Sequence, residues 1–141
     1  MTRTLYSNPK PKELVMKEAV HTDDAPKAVG PYSQAVKLDG TLYCSGQIPI
    51  DPETGELITS SIEEQTHRVL KNLQAVVEAG GSNFDEIIKT TIFLKDLNDF
   101  QAVNAVYSSY FKEPFPARAC VQVAKLPLDA HVEIDAIAKV K

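Results

Sequence analysis

One long apolar stripe with clear ends on both sides constrains this chain more than any other feature. Ile62, Thr66, Val69, Leu70, Leu73, Val76 and Val77 recur at helical spacing on one face. Ser60 and Ser61 each precede a glutamate by three positions (Glu63, Glu64), the capping-box pattern that opens a helix. Gly80-Gly81 closes it, because glycine enters the left-handed conformation without a Cβ clash. A helix with a single apolar face must lay that face on another layer, and the flanking sequence supplies strands.

Lys17–His21 and Ser33–Leu38 read as short strands, with turn-rich residues 22–31 between them. Asp39-Gly40 joins the second of these to a strand over Thr41–Ser45, since Asp-Gly suits a two-residue hairpin turn. Gly46, Pro49, Pro52 and Gly55 then break regular structure, with a turn over residues 51–55. The β-branched run Ile87–Leu94 is the next strand. Asp99 is expected to cap a second helix striped by Phe100, Val103, Tyr107, Tyr110 and Phe111 and ended by Pro114 and Pro116. Ala117–Leu126 and His131–Lys139 close the chain as strands, separated by Pro127. The order β-β-β-α-β-α-β-β predicts an α+β fold, a mixed five- to six-stranded sheet with two helices on one face. The other face also carries apolar groups, so other subunits are expected to cover it.

The chain has 141 residues, one domain's worth, with residues 1–16 read as an extension and 17–141 as the domain. Hydrophobic residues make up 43% and charged residues 24%, which excludes a disordered chain. No apolar run approaches the roughly 20 residues that cross a bilayer. The net charge of −4 gives no general attraction to nucleic acid or to an anionic membrane. Cys44 and Cys120 form no CxxC or Cys/His ligand spacing, so a reducing compartment is expected. No apolar core of a secretory signal follows the first basic residue. The cytoplasm is favoured, with the mitochondrion as the other address. His21, His67 and His131 show no metal-ligand spacing, so no metal is expected, and no phosphate-loop or dinucleotide glycine pattern occurs. His67 is expected to be solvated on the polar face of the first helix.

The unusual segment is residues 116–124, PARACVQVA. Strand alternation turns Arg118, Cys120 and Gln122 one way and Ala117, Ala119 and Val121 the other. An arginine between two alanines offers a planar fork suited to a carboxylate or phosphate; an ion pair within or between subunits is the plainer use. The last strand presents Glu133 and Asp135 on one face. Pairing of the last two strands as a hairpin would bring Glu133 near Cys120 and Arg118. Residues 30–34 (GPYSQ) and 44–47 (CSGQ) supply small residues and main-chain N–H groups that let a ligand approach closely.

The stretches GPYSQAV (30–36), YCSGQIP (43–49), VNAVYSSYF (103–111), PARACVQVAKLP (116–127) and VEIDAIA (132–138) together resemble the Rid family, also called YjgF or L-PSP. The resemblance runs from Lys17 to the C-terminus and implies a chorismate-mutase-like α+β fold. It also implies a homotrimer with clefts between subunits. The implied activity is that of RidA-type enamine/imine deaminases: cofactor-free hydrolysis of 2-imino acids, tautomers of 2-aminoacrylate and 2-aminocrotonate, to 2-oxo acids and ammonia. On the matched motifs, Arg118 falls on the arginine that grips the substrate carboxylate and Glu133 on the acid that positions or activates water. Cys120 falls on a pocket residue whose backbone faces the reacting centre. Tyr32, Ser45, Gly46 and Asn104 match pocket-lining positions, and Gln47 follows the glycine as in many members. Some members of the family carry an endoribonuclease or translation-inhibitor label, and a non-catalytic ligand-binding trimer is the remaining alternative.

Overall fold

The computed structural model describes residues 16–140. Of the proposed extension only Met16 falls within them; residues 1–15 and Lys141 lie outside. Asp39 and Gly40 both take positive φ, 50° and 79°, as the tight hairpin turn demands. They join strand β2 (Ala35–Leu38) to β3 (Thr41–Gln47), and β1 (Glu18–Val20) pairs antiparallel on the outer side of β2. Helix α1 (Ile62–Ala79) begins where its serines direct: Ser61 Oγ accepts from the Glu64 N–H at 3.2 Å, and Ser60 Oγ donates to the Glu64 carboxylate at 2.6 Å. At its far end Gly81 takes the left-handed φ of 86°. Gly80 is helical and is required for space, since a Cβ there would stand 2.7 Å from the Leu42 methyl groups.

Strand β4 (Ile87–Leu94), helix α2 (Phe100–Ser108), β5 (Ala117–Gln122) and β6 (Val132–Lys139) complete the chain. The cap expected of Asp99 sits further upstream. Asp99 already has helical angles (φ −80°, ψ −4°) and makes no side-chain cap, whereas extended Asp96 accepts from Asn98 N and opens a 3-10 turn that runs into α2. The strand expected to reach Leu126 stops at Gln122 and gives way to a 3-10 turn at Pro127–Asp129.

The six-stranded sheet has the order β1-β2-β3-β6-β4-β5. All its pairings are antiparallel except β4 with β5. The last two strands therefore do not form the expected hairpin. α2 carries the chain across so that β5 lies parallel to β4 at the sheet edge. Residues 123–131 then return it to the middle, where β6 pairs with β3 on one side and β4 on the other. Burial explains this choice: Val132, Ile134, Ala136 and Ala138 are all buried, and a strand with a fully apolar face hides it best between two neighbours. The fully buried Val69, Leu70, Leu73, Val76 and Val77 of α1 pack with Leu42, Ile92, Leu94 and Ile134 of the sheet in one core. On the opposite face Tyr43 is 49% and Val121 43% exposed.

Candidate functional site

The residues singled out by sequence fall into two groups on opposite faces of the sheet. Arg118 is paired in register with Thr90, and Glu133 with Phe93. Thr90 and Phe93 are separated by an odd number of positions on one unbroken strand, so their faces, and those of their partners, are opposite. The expectation that Glu133 lies near Arg118 and Cys120 is thus corrected within a single subunit. β4 intervenes, and the two side chains diverge.

Arg118 projects to the helix-covered side at the edge of the sheet. Its Nη1 donates to Asn104 Oδ1 at 2.7 Å, and its Cζ lies 5.5 Å from the Phe100 ring centre and 5.0 Å from that of Tyr107. No carboxylate lies within ion-pair distance of Arg118 among the described residues. Cys120, on the same face, packs against the core; burial raises its thiol pKa and the nearby Arg118 charge partly offsets that. Gln122 has a local task, its Oε1 accepting from Leu97 N at 2.9 Å.

Glu133 borders a cleft of about 760 Å³ shared with Tyr32, Gly46, Gln47, Ile48 and Leu128. A bulge in β3 creates this corner. Cys44 pairs with Ala136 and Gln47 with Ile134, so Ser45 and Gly46 together face the single Asp135. The Ser45 hydroxyl donates to Ser33 O at 2.6 Å, and Ser45 N to Gln34 O at 2.9 Å. Ser45 therefore ties the loop carrying Tyr32 to the sheet. Gln34 continues the anchoring: its amide reaches Thr22 O and Pro26 O and its oxygen accepts from Thr22 N. Across the cleft, Leu128 holds a left-handed φ of 56°.

Electrostatics on this face favour the neutral acid. Burial is the main cause that raises the Glu133 pKa, and the Asp135 charge on the same strand face adds to it. Asp135 is held by its own acceptor bond from Thr91 N at 3.0 Å. Cys44, buried on the core side, is pushed up to about 12 by burial and by Asp135. Among the described residues no three His, Cys, Asp or Glu side chains converge as a metal site. His67 is exposed, yet its Nδ1 lies 2.8 Å from the Tyr110 hydroxyl, which links α1 to the end of α2.

Sequence reasoning assigned Phe100 and Tyr107 to the helix core alone and missed their contact with Arg118. The available signal was their spacing with Asn104, which puts all three on one face of a helix.

Fold and site together define an α+β protein with an edge-strand arginine on one sheet face and a carboxylate-bordered cleft on the other. The chain belongs to the Rid (YjgF/L-PSP) family: the family model described as Endoribonuclease L-PSP matches residues 22–140. A RutC family protein of Pyrococcus horikoshii is 51% identical over 123 residues, 87% of this chain and 98% of that one. The human 2-iminobutanoate/2-iminopropanoate deaminase is 46% identical over 124 residues, 88% of this chain and 90% of that one. A solved Rid-family structure from Yersinia pestis aligns with a TM-score of 0.87 at 51% identity, covering 89% of this chain and all of the other.

Proposed function

We propose that this protein is a deaminase that hydrolyses reactive 2-imino acids to 2-oxo acids and ammonia. The observation that carries this reading is the Arg118 guanidinium, held by Asn104 and two rings with no protein carboxylate upon it among the described residues. A planar fork so held matches the carboxylate of a small 2-imino acid, and each charge-assisted hydrogen bond contributes about 1.5–3 kcal/mol.

The rest of the chemistry needs a water and a proton acceptor. Glu133 takes a proton from water as its oxygen bonds to C2 of the imine, and the C=N electron pair moves to nitrogen. The proton passes on to the amino group of the carbinolamine. The C–N bond then breaks as the hydroxyl proton passes to Glu133 and the C–O oxygen becomes the carbonyl, releasing ammonia. Glu133 returns that proton to solvent when the imine enters protonated. Burial, with the Asp135 charge adding to it, raises the Glu133 pKa, which makes its carboxylate a stronger proton acceptor than an ordinary glutamate. Main-chain groups at Gly46 and Cys120 steady the adduct. A thiol held up by burial is a poor thiolate, so Cys120 serves as a pocket residue and not as the nucleophile.

Because Arg118 and Glu133 diverge within one subunit, we infer that the complete site forms between subunits of a homotrimer. Arg118, Asn104 and Cys120 of one subunit then meet Tyr32, Gly46 and Glu133 of the next. The exposed Tyr43 and Val121 on the open face are suited to burial in such an assembly. Two free thiols suit the cytoplasm or the mitochondrion.

The test is formation of 2-oxobutanoate in a coupled threonine dehydratase assay. Wild type accelerates the reaction and Arg118→Ala abolishes the gain. An unchanged rate in that variant rejects the assignment. Tight 2-oxo acid binding without turnover identifies a ligand-binding trimer instead, and metal-free RNA cleavage lost in the same variant identifies a ribonuclease. Light scattering reads the trimer directly.

A further inference from the structure

Three residues of α2 converge on one guanidinium. Phe100, Asn104 and Tyr107 stand at i, i+4 and i+7, so a single helix face turns all three toward Arg118. Asn104 takes one guanidinium N–H, while the rings of Phe100 and Tyr107 lie within cation–π range. Tyr107 is itself immobilised. It is 4% exposed, its hydroxyl lies 2.7 Å from Thr90 Oγ1, and Thr90 is the fully buried register partner of Arg118 on β4. Behind Tyr107 the rings continue as a column: Tyr107 stacks on Phe111 at 4.4 Å, and Phe111 on Phe84 at 4.9 Å.

A flexible cation on an edge strand would spend much of its time in rotamers that cannot meet a carboxylate with two parallel N–H bonds. Rings facing the guanidinium oppose that tilting, and among the described residues only Asn104 takes one of its N–H groups. We propose that Phe100 and Tyr107 are positioning residues that hold the plane of Arg118 for bidentate carboxylate capture, with Thr90 setting the Tyr107 ring. This inference rests on the reading of Arg118 as the substrate's carboxylate anchor.

The test has a spectroscopic arm and a binding arm. The chain contains only Arg3, Arg68 and Arg118 as arginines, so their Nε–H signals can be assigned one by one in a nitrogen-edited NMR spectrum. The ring currents shift the Arg118 signal upfield. Phe100→Leu returns it toward the free-arginine position, and Phe100→Trp retains the shift. In calorimetric titration with 2-oxobutanoate, Phe100→Leu weakens binding by about fivefold to tenfold. That loss disappears when Arg118→Ala is already present.

An unshifted Arg118 signal in the wild type overturns the proposal, as does a Phe100→Leu loss that persists undiminished without Arg118. A shifted signal with no binding of 2-oxobutanoate also overturns it, because the clamp then serves no carboxylate. Coupled binding without imine hydrolysis supports the clamp while rejecting the deaminase reading.

Discussion

The Glu133 carboxylate lies directly on Gly46: a Cβ at position 46 would stand 2.5 Å from Oε2 and 2.8 Å from Cδ. Gly46 has no left-handed φ, so its lack of a side chain serves this contact and not a strained turn. Gly46→Ala must therefore push the acid aside while leaving the backbone in an allowed conformation. The expected result is a loss of activity of more than about tenfold with a stability change of about 1 kcal/mol or less, since a flexible side chain can yield. Steady-state kinetics and a denaturant titration of the same variant check both halves. Adding Glu133→Gln to Gly46→Ala should cost little more than Glu133→Gln alone.

Asp135 tunes the acid through space. Burial and the Asp135 charge both raise the Glu133 pKa, so its ionised form, the base in the proposed reaction, appears at higher pH than for an ordinary glutamate. The acidic limb of the kcat/KM profile is expected above the usual value of about 4.3. Asp135→Asn removes the like charge and moves that limb to lower pH. A limb that stays in place in this variant rejects the coupling.

The same shift sets a stability trend. A folded-state pKa raised above the unfolded one favours the fold below the unfolded pKa, and this contribution is lost as pH rises through the folded pKa. Glu133→Gln should thus be more stable than wild type at neutral pH, with the difference vanishing in acid. Urea midpoints measured across pH at fixed protein concentration check the sign.

Arg118→Lys tests geometry separately from charge. An ammonium keeps the positive charge and loses the planar fork that two rings and Asn104 hold in place. Loss of one charge-assisted hydrogen bond predicts a fall of roughly tenfold to a hundredfold in kcat/KM for 2-iminobutanoate. Near-wild-type activity in this variant contradicts recognition by the fork.

Asn72 supports the cleft from behind. It is fully buried, its Nδ2 donates to Ile50 O at 2.8 Å and Ile48 O at 3.3 Å, and its Oδ1 accepts from Arg68 Nε at 3.0 Å. Ile48 and Ile50 belong to the cleft wall. Asn72→Leu strands those carbonyls, at about 1–3 kcal/mol for each group left without a partner. Denaturant unfolding should show the loss, together with a raised KM as the wall loosens.

How much of this was legible depended on whether the cause was local. The Ser60-Ser61 opening and Gly80-Gly81 end of α1, the Asp39-Gly40 turn and the face alternation of Arg118 and Cys120 all follow from residues within a few positions of one another. The motif stretches also pointed to Tyr32, Gly46, Gln47 and Glu133, which do meet in one cleft. The clamp on Arg118 was hidden because a helical apolar stripe does not distinguish a ring that packs on the core from one that also meets a cation. The bulge at Ser45-Gly46 was hidden because it exists only relative to the pairing of β3 with β6.

By itself, then, the sequence determined the elements, their order and the polar and charged residues that the fold could gather into a site. Tertiary structure decided where those residues stand. Which strand neighbours which is settled by total burial over contacts distant in the chain. The apolar face of β6 gains most between β3 and β4, and that placement inserts β4 between Glu133 and Arg118 and turns them to opposite faces. Local periodicity carries no information about that choice, because a strand has the same alternation beside any partner.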